Sequence, residues 1–107
     1  MRRGRVRRLR IDRNRGEFGT FVVEFDDGTV ATFEWDADDD VLGFYLQDVR
    51  GGRNDGSEDL RRLLGPAERD HIDRSIRREI RRRMGATGDW IPDMDFTVWH
   101  DERKRRF

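Results

Sequence analysis

The sequence contains no cysteine and few residues of several other reactive types. Without cysteine there are no disulfides, no thiolate nucleophiles and no cysteine-ligated zinc sites. Serine occurs only as Ser57 and Ser75, and histidine only as His71 and His100. His71 and Ser75 lie four residues apart, but no motif supplies the oxyanion donors that nucleophilic catalysis needs. We therefore predict no catalytic residues, no metal site, no cofactor and a non-enzymatic function.

Long apolar runs are also missing. No segment approaches the roughly 20 apolar residues of a membrane-spanning helix, and the N-terminus lacks the apolar centre of a signal peptide. The sequence therefore predicts a cytoplasmic protein with no membrane partner.

The chain has no net charge, although 43% of its residues are charged. Leu, Ile, Val and Phe make up 25 of the 107 residues, which exceeds the roughly 20% below which chains usually stay unfolded. We expect a single domain over residues 1–107, with frayed basic termini at 1–4 and 103–107.

The two signs of charge are segregated along the chain. Residues 1–16 carry a net charge of +7, residues 17–60 carry −11 and residues 61–83 carry +5. Of the 23 basic residues, 22 are arginine. This bias indicates either a GC-rich coding sequence or selection for bidentate contacts to phosphate or carboxylate groups.

A β-hairpin is predicted around the sequence EFDDGTVATFEW. A loop of Asp26, Asp27 and Gly28 pairs Phe21 with Phe33 and Val23 with Ala31. In this register a single apolar face is formed by Phe21, Val23, Phe25, Ala31, Phe33 and Trp35. Gly28 takes the left-handed position of the turn.

Three further strands are expected, at residues 5–13, 41–49 and 94–99. The first is an arginine-rich edge strand. The last alternates so that Met94, Phe96 and Val98 share the apolar side, with Trp99 opposite. Trp99 is therefore a candidate interface anchor if its side of the sheet faces solvent.

The acidic segment 36–40 is interpreted as the loop that joins the third and fourth strands. Its alternating aspartates resemble a calcium loop, but Val41 stands where such a loop requires glycine. A hydrated turn is the preferred interpretation.

Two helices are predicted in the second half. Ser57 caps a short helix that Gly65 ends, and Pro66 begins a longer helix that stops at Gly85, after Met84. The apolar stripe of the long helix consists of Ile72, Ile76, Ile80 and Met84. The fold prediction is therefore α+β: an antiparallel β-meander of four to five strands, with one short and one long helix packed on one face.

Two arginine groups are candidate sites for a protein partner or for phosphate. The N-terminal group is Arg2, Arg3, Arg5, Arg7, Arg8 and Arg10. The helical group, predicted on the far side of the long helix, is Arg74, Arg77, Arg78, Arg81 and Arg82. Either group can also be a solvated surface, since charge runs are common and unspecific.

The leading functional hypothesis is a small binding or regulatory domain that uses its segregated charges to dock a macromolecular partner, most simply a protein. A second copy of the chain is one such partner. The alternative is a nucleic-acid-binding protein that uses both arginine groups.

Overall fold

The computed structural model describes residues 5–38, 40–52, 59–87 and 95–101. Within these ranges it contains five strands and two helices. In chain order the elements are β1 (Val6–Asn14), β2 (Phe18–Phe25), β3 (Thr29–Asp38), β4 (Val41–Gly51), α1 (Leu60–Leu63), α2 (Pro66–Thr87) and β5 (Phe96–Asp101). The strands form a single sheet in the order β1-β2-β3-β4-β5, and the α+β prediction is confirmed.

The central hairpin has the predicted register. Phe21 pairs with Phe33 and Val23 pairs with Ala31. The amide of Gly28 donates to the Phe25 carbonyl at 3.0 Å, and Gly28 has a φ of 91°, a conformation that penalises any side chain. All six apolar residues of the predicted face are buried.

The third strand is longer than predicted. Asp36 and Asp38 belong to β3, so their assignment to a loop is wrong. The period-two pattern continues through Ala37, which is buried between two exposed aspartates. Asp36 pairs with Gly43 and Asp38 with Val41. The two carboxylates therefore lie on the sheet, and the described residues contain no group of three metal-ligating side chains.

The fifth strand pairs with β4 in parallel, whereas the meander of the prediction has only antiparallel pairs. A parallel neighbour requires a crossover of a dozen residues or more. Here the chain between β4 and β5 contains both helices.

The helix boundaries differ from the prediction at two points. Asp59 caps α1, because its carboxylate accepts a hydrogen bond from the Arg62 amide at 2.9 Å. Ser57, the predicted cap, lies outside the described residues. Pro66 begins α2 as predicted, but the helix continues through Gly85 to Thr87. At its start the Glu68 carboxylate accepts from the Gly65 amide at 3.2 Å, as in a capping box.

The core lies between α2 and one face of the sheet. Ile72, Ile76 and Ile80 have no exposed surface, and they pack over the apolar face of β2, β3 and β4. Val6, Leu9 and Ile11 of β1 extend this core at one edge. Among the described residues, the core cluster takes its strand residues from this face of the sheet. No helix among the described residues is long and apolar enough to cross a membrane.

Candidate binding surface on the uncovered face of the sheet

The sheet face opposite α2 is the candidate functional surface, and we call it the uncovered face. Strand register assigns its residues, because directly paired residues point to the same side. One row crosses all five strands and contains Arg13, Thr20, Glu34, Tyr45 and His100. The next row contains Phe18, Asp36, Gly43 and Val98. No described helix or strand packs over these two rows.

A basic edge borders the uncovered face along β1. It consists of Arg8, Arg10 and Arg13, which pair with Glu24, Val22 and Thr20 of β2. All three arginines are exposed, and the Arg10 guanidinium forms an ion pair with Asp12. The backbone register of β1 shifts between Val6 and Arg8 and between Ile11 and Arg13. Such bulges, together with charge, are typical of edge strands that resist pairing with other chains.

An acidic ridge runs along the centre of the face. Glu34, Asp36 and Asp38 alternate on β3, and all three are exposed. The Glu34 carboxylate accepts one hydrogen bond from the Gln47 amide at 3.3 Å. Asp36 makes no side-chain hydrogen bond or ion pair with any other residue that the structure describes.

An apolar corner completes the face at the β4–β5 side. It contains Phe96, Val98 and the rings of Tyr45 and His100. The two rings are stacked, with centroids 4.7 Å apart and planes 9° apart. The face therefore presents basic, acidic and apolar zones side by side.

A depression of about 620 Å³ lies at the boundary of these zones. It is lined by Arg13, Phe18, Gly19, Thr20, Glu34, Trp35, Asp36 and Tyr45. Phe18 and Tyr45 belong to strands on either side of β3, so two aromatic side chains flank the carboxylates of the acidic ridge.

The structure places the N-terminal arginines in two groups. Arg2 and Arg3 lie outside the described residues. Arg5, Arg7, Arg8 and Arg10 are exposed, and among these Arg8 and Arg10 share the uncovered face. Arg13, which belongs to the same basic edge, was not among the predicted candidates.

The five helical arginines do not all lie on one surface, because Arg77 departs from the other four. Arg74, Arg78, Arg81 and Arg82 are exposed on the outer side of α2. Arg74 is paired with Asp70 at 2.9 Å and Arg82 with Glu79. Arg78 and Arg81 have no ion-pair partner among the described residues.

Arg77 was wrongly assigned to that outer side. Its side chain is only 16% exposed, and its Nε donates to Asp73 at 2.7 Å. Its Nη2 donates to the Thr97 hydroxyl of β5 at 2.8 Å. At 100° per residue Arg77 lies on the flank of the Ile76 stripe, and β5 occupies that flank. Arg77 therefore joins a helix to the sheet and is not a surface candidate.

Trp99 is also placed differently from the prediction, because its side of β5 is the side that α2 covers. Its ring packs on Phe44, with centroids 4.6 Å apart, and on Phe33. The Arg69 guanidinium lies 5.8 Å from the Trp99 ring centroid. The residues that face outward on β5 are Phe96 and Val98, so the expected orientation of this strand is inverted. Apolar residues lie on both sides of β5, so packing against α2 decides which side is buried.

Comparison with known proteins supplies no relative. No protein-family model matches the chain, and neither the search of curated proteins nor that of solved structures found a significant match.

Proposed function

We propose that this protein is a small non-enzymatic binding or regulatory domain that docks a protein partner on its uncovered face. One observation carries the proposal. Among the described residues the large hydrophobic side chains left exposed are Phe18 at 54%, Phe96 at 60% and Val98 at 39%. All three lie on the uncovered face. Aromatic residues are enriched in protein interfaces, and a few well-packed side chains supply most of the binding energy of an interface.

The charges on this face favour a protein over a nucleic acid. The strand residues that point to it include four arginines, Arg8, Arg10, Arg13 and Arg50. They also include five acids, Glu24, Glu34, Asp36, Asp38 and Asp48. A phosphate backbone requires a surplus of cations, whereas a protein partner can match a mixed pattern of charges and gain specificity from it. A cytoplasmic location is part of the same proposal.

Site-specific photo-crosslinking tests this proposal. The photoreactive residue p-benzoylphenylalanine replaces Val98 on the uncovered face or, as a matched control, Arg78 on the outer side of α2. We expect a defined protein adduct from position 98 only. The protein identified by mass spectrometry is then purified, and its affinity for Val98→Glu and Arg78→Glu variants is measured. Val98→Glu should weaken binding at least about tenfold, and Arg78→Glu should not. Adducts from position 78 alone would contradict the proposal.

Nucleic-acid binding is the second candidate, and the outer side of α2 favours it. Arg78 and Arg81 are exposed there without an ion-pair partner among the described residues. The purified protein would then retain material absorbing at 260 nm at low salt, and affinity would fall with log salt at a slope near −0.9 per phosphate contacted. Binding to DNA and RNA that is undetectable at low salt would eliminate this candidate.

A further inference from the structure

The depression on the uncovered face has two aromatic walls. Phe18 of β2 stands on one side and Tyr45 of β4 on the other, with β3 between them. Phe18 is more than half exposed. Tyr45 stacks on His100 of β5, with ring centroids 4.7 Å apart, and its side chain lines the depression.

Gly43 explains how the tyrosine reaches this position. A Cβ atom at Gly43 would lie 2.8 Å from the Tyr45 hydroxyl oxygen and 2.9 Å from the ring edge. Any other residue at position 43 would therefore push the ring away from this part of the sheet. Glycine permits the Tyr45 ring to lie along the strand, where it lines the depression.

Two carboxylates lie between the aromatic walls. Glu34 and Asp36 are successive residues on the same face of β3, and both are exposed. Glu34 has one amide partner in Gln47, and Asp36 has none among the described residues. Among the described residues that line the depression, the single cation is Arg13, on the β1 side. The described lining of the depression therefore carries a surplus of negative charge, with two aromatic side chains beside it.

This combination suits a cationic side chain. Aromatic ring faces attract ammonium and guanidinium groups, and a carboxylate binds the same groups through short charge-assisted hydrogen bonds. We propose that the depression receives an arginine or lysine side chain of the protein partner. Phe18 and Tyr45 would flank the cation, and Asp36 would bind its N–H groups. This inference rests on the proposed function and names the chemistry of the partner's anchor.

Selection from a random peptide display library tests the inference without knowledge of the partner. We expect the enriched peptides to share one arginine or lysine, and a scrambled peptide of equal composition to bind at least about tenfold more weakly. Asp36→Asn should reduce peptide affinity about tenfold. Its matched control is Asp38→Asn, which removes a charge from the same strand and face outside the depression and should change affinity less than about twofold.

The aromatic wall is tested in parallel. Phe18→Ala should weaken the selected peptide at least about fivefold, whereas Arg78→Ala, at an exposed residue on the outer side of α2, should not. All four substituted side chains are exposed, and unchanged thermal unfolding of the variants checks that each one folds. Equal losses in Asp36→Asn and Asp38→Asn would show a general charge effect and overturn the inference.

The remaining outcomes separate the inference from the proposed function. Suppose that the selected peptides share no arginine or lysine but bind the Val98→Glu variant more weakly than the original protein. This result would overturn the inference and leave the proposed function standing. Peptides that are unaffected by every substitution on the uncovered face would overturn both, and so would a library from which nothing is enriched.

Discussion

Trp35 connects the core to the turn between the first two strands. It is 1% exposed, and its indole Nε1 donates to the Gly16 carbonyl at 3.1 Å in a buried position. Asn14 holds the same turn, because its side chain accepts from the Gly16 amide at 2.9 Å and donates to the Glu79 carbonyl of α2 at 3.1 Å. The hydrogen bonds of Trp35 and Asn14 thus position the end of the sheet at which the depression lies.

Replacing Trp35 with phenylalanine tests this connection. The substitution leaves the Gly16 carbonyl unpaired and removes ring volume, so we expect the free energy of unfolding to fall by about 2 kcal/mol. Urea denaturation with an unchanged m-value measures it. Trp99→Phe is the matched control, since Trp99 is only partly buried and its indole makes no hydrogen bond to another described residue. An equal loss in both variants would argue against a special role for the Gly16 bond.

At the scale of residues, the strict alternation of β2 and β3 allowed the buried face to be predicted from sequence. Only one register of the β2–β3 hairpin brings Phe21, Val23 and Phe33 to the same face. The same alternation extends to Asp36, but its acidic neighbours are typical of a loop and concealed the strand. Tyr45 was missed because its role depends on Gly43 and on His100 of β5, and no local pattern brings these residues together.

At the scale of elements, a three-residue network fastens β5 to α2. The Thr97 hydroxyl donates to the Asp73 carboxylate at 2.9 Å and accepts from Arg77 Nη2 at 2.8 Å. Arg77 Nε also donates to Asp73 at 2.7 Å. All three side chains are partly buried, so each hydrogen bond is shielded from competing water. The network holds an edge strand whose outward residues, Phe96 and Val98, form the apolar corner.

Arg77→Met should loosen that strand. The substitution keeps most of the apolar stem and removes the donors, and it leaves the Asp73 carboxylate without its cation. We expect amide exchange in residues 97–101 to accelerate roughly tenfold, as for a lost opening free energy of about 1.4 kcal/mol. Arg78→Met, one residue along α2 and fully outside the network, should leave those amides unchanged. Exchange that is the same in the two variants would contradict the network's role.

The parallel pairing of β5 marks the limit of prediction at this scale. Thr97 and Trp99 on one side alternate with Phe96 and Val98 on the other, so either side fits a core. The choice depends on where α2 lies after the crossover, and that position is set by long-range packing. The partial burial of Arg77 follows from the same packing. This is why the positions of Trp99 and Arg77 were predicted wrongly from the sequence.

At the scale of the whole molecule, the zero net charge of the chain is the sum of surfaces that differ in charge and in role. One face of the sheet is used to build the core, and the other combines a basic edge, an acidic ridge and an apolar corner. The outer side of α2 is arginine-rich and separate from that face. The segregation of charge was evident in the sequence, but the mixture of charges on a single face was not, because the strands that carry it are distant along the chain.

The central claim is that the uncovered face, and not α2, is where a partner binds. The most direct test is the map of amide chemical-shift changes in the ¹⁵N-labelled protein on addition of the partner identified by crosslinking at position 98. We predict changes in residues 18–24, 30–36, 43–47 and 96–100, with the exposed residues of α2 unaffected. Changes centred on residues 74–82 while the sheet remains unperturbed would contradict the account.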